Sequence, residues 1–194
     1  MPGEVIGKLE FSGGRSFTAV IYDLLDEPSD AIVNAANGGL SHGAGVAAEI
    51  AEAAGPDFEE ACNRIVRERG MIPVGEAVVT TAGCLRFKGV IHAVGPRMGQ
   101  GDEEGKLVKT LHSAFLRAHE RGWSSLSFPA VSSGIFAVPV GVCARAYLRA
   151  VREFFAANPQ SPLKTIRLAL FRGPLVDATR EQLAELGHDT GTIS

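Results

Sequence analysis

Two glycine-rich loops hold the residue types best suited to chemistry. The first lies in "IVNAANGGLSHGAGVAAEIAEAAG", Ile32 to Gly55, where an apolar run passes through two asparagines into glycines and then into an alanine-rich segment. Glycines let backbone N–H groups approach an anion, and a helix N-terminus adds unpaired donors and a favourable dipole, so this stretch predicts a phosphate site. The second loop, "SSGIF" from Ser132 to Phe136, again follows an apolar run and precedes a helical one. Its hydroxyls and consecutive N–H groups can form an anion nest. Each loop alone reads equally well as an ordinary strand-to-helix turn. Two of them facing one crevice would suit a diphosphate.

Within the first loop "GAGVAA" aligns as GxGxxA, a relative of the dinucleotide fingerprint. That fingerprint belongs to the first strand of a βαβ unit and is followed, about 20 residues on, by an acid at the end of a second strand. Here the glycines follow the third expected strand, and Asp57 and Glu59 fall on a helix, which disfavours a nicotinamide dehydrogenase. His42 stands beside the glycines, and an imidazole with an ordinary pKa near 6.5 exchanges protons near neutrality, which makes it a candidate assistant in acid–base chemistry. His92 sits in an apolar strand and reads as a core histidine, while His112, His119 and His188 fall on helix or tail positions. Cys62, Cys84 and Cys143 are far apart, with no metal-ligand spacing and no recognisable base beside a nucleophile. No metal and no bound cofactor are expected.

The elements that must position these loops follow from hydrophobic periodicity. Val5, Leu9, Phe11, Phe17, Val20 and Ile21 alternate around "SGGRS" and predict a hairpin, and "AIVN" predicts a third strand. Val46, Ile50 and Ala54 share one helical face, and a second helix is expected from about Asp57 to Arg69. "GEAVVTTAG" and "GVIHAVG" read as strands, the latter central. Then come a helix over about Lys106 to Arg121, a strand in "SSLSFPAV", a helix over Val140 to Phe155, a strand "TIRLALF" and a closing helix over Val176 to Leu186. The acidic "GQGDEEG" reads as a solvated edge loop. Alternating strands and helices predict an α/β fold: a three-layer α/β/α sandwich with a central mixed, mostly parallel sheet and the opening hairpin antiparallel at an edge. Ligands in such folds sit beyond the carboxyl ends of the strands, where both glycine loops fall.

At 194 residues the chain suits one domain over residues 1–187, with 188–194 a flexible tail, and that size is compatible with a stable monomer. A net charge of -3 argues against a broad basic surface for nucleic acid. An odd cysteine count, the lack of a signal-like N-terminus and the lack of a long apolar span lead to the expectation of a reduced, soluble, cytoplasmic protein without a membrane partner.

"AIVNAAN", "HGAGVA", "VIHAVGP" and "FPAVSSGIF", in this order and spacing, resemble the macrodomain family, which binds ADP-ribose. The resemblance runs from about Ile21 to Phe171, closest in look to macrodomains of poly(ADP-ribose) polymerase relatives and of viruses. It implies that Asp23, with Leu24 after it, contacts adenine, and that Phe171 stacks on it. From the residues alone Asp23 reads as a turn acid and Phe171 as the last core residue of its strand. The resemblance further implies that Asn37 holds the distal ribose and that Gly43, Ala44, Gly45 and Val46 wrap the ribose and phosphates. Ser132, Ser133, Gly134, Ile135 and Phe136 would close over the diphosphate, with Phe136 beside the distal ribose. Asn34 is expected to tie the loop backbone together.

Members of this family either read ADP-ribose or remove it. Many hydrolases carry an aspartate after the glycine run, where this chain has Ala47. Another active group has alanine there and an HGGG run, relying on strained ligand geometry and a water near the ligand's own phosphate. This chain keeps Asn37, His42, Gly43 and Gly45 and departs at Ala44, whose methyl is expected to crowd the loop or resist a positive φ. The resemblance thus implies binding of ADP-ribose and metal-free removal of mono-ADP-ribose from acidic residues of modified proteins, with Asn37, His42, Gly45 and Phe136 as the catalytic set. The alternatives are a non-catalytic reader, a deacetylase of O-acetyl-ADP-ribose and a partner-binding scaffold.

Overall fold

The short apolar runs assemble into a seven-stranded mixed sheet in the computed structural model, which describes residues 3–189. The strands are β1 (Glu4–Phe11), β2 (Arg15–Ile21), β3 (Ala31–Ala36), β4 (Ala77–Thr80), β5 (Gly89–Val94), β6 (Ser125–Phe128) and β7 (Thr165–Leu170). Their order is β1-β2-β7-β6-β3-β5-β4, parallel from β2 through β5 and antiparallel at both edges. The second antiparallel edge was not expected from the sequence. Its cause is the short 81–88 link between β4 and β5, because a parallel crossover needs about a dozen residues or more.

Helices α1 (Gly45–Ala54) and α2 (Pro56–Arg69) cover one face of the sheet, and α3 (Glu103–Glu120), α4 (Val140–Ala157) and α5 (Pro174–Asp189) cover the other. Alternation within β3 sends Ala31 and Val33 into the α3/α4 core and Ile32 into the α1/α2 core, as period-two geometry requires. The larger core is aromatic: Phe115 stacks edge-on against Phe128 and Phe154, and Phe128 against Tyr147. Every residue of β5 is buried, in keeping with its apolar sequence.

Two helix boundaries differ from expectation by more than two residues. The acidic segment is not merely a loop: Asp102 caps α3 by accepting from the Gly105 N–H at 3.2 Å, so the helix begins at Glu103 rather than Lys106. Helix α5 extends to Asp189, two residues into the expected tail; the side chains of 187–189 and all of 190–194 lie outside the described residues. Among the described residues no helix is long and apolar enough to cross a membrane.

Candidate functional site

The carboxyl ends of β2, β7, β6, β3 and β5 border one cavity of about 590 Å³, a volume suited to a small-molecule ligand. Asp23, Leu24 and Phe171 line it beyond β2 and β7, residues 132–136 line it beyond β6, and Asn37 and Arg97 line it beyond β3 and β5. Sheet order therefore lays the lining residues out in a row.

Asp23 ends the β2 connection as the N-cap of a one-turn 3₁₀ helix, Leu24–Asp26, accepting from the Leu25 N–H at 2.9 Å through one carboxylate oxygen. Its other oxygen makes no protein hydrogen bond among the described residues. The segment is anchored from beneath by Glu27, fully buried, whose carboxylate accepts from Arg167 at 2.5 and 3.1 Å and from Ser127 Oγ at 2.8 Å. Phe171 is not a core residue: it stands one position beyond β7 and is 66% exposed.

Asn37 begins the loop after β3 and ties that loop to itself. Its Nδ2 donates to Ser41 O at 3.0 Å and Ser41 Oγ at 2.9 Å, and its Oδ1 accepts from Ser41 N at 3.2 Å. The loop-tying role expected of Asn34 thus falls to Asn37. Asn34, fully buried in β3, donates instead to His92 Nδ1 across the sheet at 3.1 Å, because it lies on an interior strand whose register pairs it with His92.

Ala44 precedes α1 in an extended conformation, φ −164°, and is exposed. The expected crowding and φ penalty do not arise; the left-handed position is Gly45, φ +64°. With alanine as the cap, no side chain covers the first-turn N–H groups of α1, which stay available at the cavity wall.

The loop after β6 is wound tightly. Ser132 has φ +68° and Ala137 φ +56°, and the Val138 N–H donates to Ser132 O at 3.0 Å, closing the loop at its base. Among the described residues, no backbone N–H from 132 to 136 donates to the protein. Residues 132–136 line the cavity, so their free amides are available at its wall, as are those of α1. Ser132 is 5% exposed and its Oγ has no partner among the described residues.

His42 does not line the cavity. Its ring packs on Phe58 at 5.1 Å between centroids and its Nε2 lies 3.8 Å from Cys62 Sγ. Outside the cavity it lacks the position the expected acid–base role requires, and burial lowers its pKa, opposed by Glu59. The fold also gathers what spacing did not suggest: donor atoms of His42, Cys62 and His92 lie within 4.8 Å of one another. Hydrogen bonding commits this group. Thr80 Oγ1 donates to Thr81 O at 3.0 Å and so accepts from His92 Nε2–H at 2.8 Å, while Asn34 donates to Nδ1. The proton on Nε2 occupies the lone pair that a metal would need. Burial pushes the Cys62 thiol up to about 12, Glu59 adding to it, and pushes His92 down to about 3 with His42 contributing. The cluster is a neutral prop behind the 37–45 loop.

Arg97 escaped the sequence reading. Its guanidinium lies over the Phe136 ring, 4.4 Å from the centroid, at the β5 end of the cavity. The available signal was a lone cation directly after "VGP" at the carboxyl end of a fully buried strand.

A model of the Macro domain family matches residues 33–147. A Thermotoga maritima protein is 46% identical over 167 residues, 85% of this chain, although the match spans only 28% of that protein's length. An O-acetyl-ADP-ribose deacetylase of Escherichia fergusonii is 40% identical over 142 residues, 70% of this chain and 78% of the relative. The solved Oceanobacillus iheyensis macrodomain with ADP superposes with a TM-score of 0.86 at 28% identity, covering 94% of this chain and 98% of that one.

Proposed function

The chain belongs to the Macro domain family, and from that premise we propose that its cavity binds ADP-ribose and hydrolyses the ester joining mono-ADP-ribose to acidic side chains of modified proteins. The observation that carries the proposal is the ordering of one continuous cavity. An exposed carboxylate and an aromatic ring stand at its β2/β7 end, two sets of unpaired backbone amides at its centre and a fixed amide side chain at its β3 end. Adenine, diphosphate and distal ribose fit that sequence of chemistries in that order.

In this pose the free oxygen of Asp23 accepts from the adenine amine and Phe171 covers the base. The first turn of α1 and the amides of 132–136 hold the diphosphate by N–H donation. Both Asn37 Nδ2 protons are already bonded to Ser41, so Asn37 takes a ribose hydroxyl through the second lone pair of Oδ1. Gly45 and Phe136 shape the space beside the anomeric carbon. A water placed there by the ligand's own phosphate attacks, and its proton passes to that phosphate. Rate enhancement comes from orientation and from amides fixed before the ligand arrives.

The test is incubation with a substrate mono-ADP-ribosylated on glutamate, following release of free ADP-ribose, with Asn37→Ala as control. Turnover at least tenfold lower in N37A, with an unchanged unfolding profile, supports the proposal; equal turnover sinks it. The deacetylase relative favours a second substrate, O-acetyl-ADP-ribose. Running both esters side by side ranks them. ADP-ribose binding without release from either ester would instead make the protein a reader.

A further inference from the structure

Arg97 stands at the β5 end of the cavity, beside the strand end that leads into Asn37. The register pairs Ala36 with Val94, so Asn37 and the "GPR" segment emerge from neighbouring strand ends, with Arg97 on the side farther from the adenine-facing strands β2 and β7. Its backbone is held by a turn: the Arg97 N–H donates to Gln100 Oε1 at 2.9 Å and the Gln100 N–H to Arg97 O at 3.3 Å. The next residue joins the two loops, the Met98 N–H donating to Phe136 O at 2.8 Å. The guanidinium is exposed, rests on the Phe136 ring and forms no ion pair with a carboxylate among the described residues. An arginine held over a ring, with its N–H edge free, is arranged to take a carboxylate in the paired fashion that guanidinium geometry favours.

Resting on the ADP-ribose reading of the cavity, the geometry points to Arg97 as the residue that receives the departing carboxylate, making the site selective for carboxylate esters of ADP-ribose. As the water oxygen bonds to the anomeric carbon, the bond from that carbon to the ester oxygen breaks. The electron pair stays on the oxygen as a carboxylate, and the water's proton goes to the ligand phosphate and then to solvent. Arg97 stabilises the charge that grows on the leaving oxygen. In this role it holds the leaving group rather than ADP-ribose, so it separates chemistry from ligand binding.

The experiment compares the parent protein with Arg97→Gln and Arg97→Lys on glutamate-linked ADP-ribose and on acetyl and chloroacetyl esters of ADP-ribose, all joined at the anomeric oxygen, with ADP-ribose affinity measured by calorimetry. In R97Q, kcat on the glutamate and acetyl esters falls at least tenfold while the ADP-ribose Kd stays within twofold. The loss is smaller for chloroacetate, which leaves more readily, and R97K recovers part of the rate. Unchanged kcat in R97Q overturns the role of Arg97 while leaving the hydrolase reading standing. A loss expressed entirely as weaker ADP-ribose affinity also overturns it, since Arg97 would then merely hold Phe136. A parent protein that binds ADP-ribose and releases none from any ester overturns the hydrolase reading, and this role with it.

Discussion

Ala44 shows how a single residue can look costly in sequence and be harmless in the fold. A methyl inside a glycine run suggests a clash or a forbidden φ, yet Ala44 is extended and exposed, and an ideal Cβ at neighbouring Gly43 would likewise meet nothing within 4 Å. The strained position is Gly45, which keeps its glycine. Ala44→Gly should therefore change kcat on the glutamate ester by less than about twofold and lower stability by at most roughly 1 kcal/mol, through added freedom in the unfolded chain. A tenfold gain in turnover would show that the methyl does obstruct the loop. Gly45→Ala should be much worse, because the left-handed backbone would have to rearrange at the ribose wall.

At the scale of elements, the site depends on how closely the β5 and β6 ends approach. A Cβ built on Gly95 would stand 2.2 Å from Ser132 Oγ and 3.0 Å from Val131 Cγ1, so the loop that presents the amides of 132–136 can take its position only over a glycine. Gly95→Ala should weaken ADP-ribose binding at least tenfold. Because the closest atom is the serine hydroxyl, the double variant with Ser132→Ala should recover a large part of that loss. Additive effects in calorimetry would mean that the obstruction lies elsewhere. The strands and the burial of β5 on both faces were legible from apolar runs, although β5 lies next to the edge rather than at the centre, and the two anion loops were legible from their glycines and their positions after strands. Asn34 and Asn37 exchanged expected duties because register, which single-chain periodicity does not supply, places Asn34 opposite His92. Likewise the His42–Cys62–His92 cluster joins residues whose spacing carries no signal, and Arg97 acquired meaning only when Phe136 was found beneath it. The start of α3 was misjudged because Asp102 looked like loop charge, whereas it is the helix cap.

For the whole molecule, the buried imidazoles tie stability to pH. His92 lies fully buried within the central sheet, and burial, with His42 adding to it, pushes its pKa to about 3; the pKa of His42 is lowered in the same direction by burial. His92 therefore stays neutral in the fold down to about 3, and His42 takes its proton at a lower pH than it does in the unfolded chain, where each titrates at the ordinary value of about 6.5. The unfolded state then binds more protons, so stability is complete above that value and declines as pH falls towards 3, by up to about 1.4 kcal/mol per pH unit for His92, with a smaller contribution from the partly exposed His42. Asp30 works in a separate window. Burial opposes its charge, but Lys88 and the backbone and hydroxyl of Ser124 hold its pKa at about 2, against 3.8 ordinarily, so its contribution is lost only below that ordinary value. Chemical denaturation between pH 6 and pH 4.5 should therefore isolate the histidines. His92→Gln keeps a donor near the Nε2 position and gives up the hydrogen bond from Asn34, so it should be less stable at pH 7.5 yet lose stability with acid clearly less steeply, His42 supplying a smaller remainder. An acid dependence as steep as the parent's would assign the lability to groups outside this cluster, and the neutral prop behind the 37–45 loop would not be what acid removes.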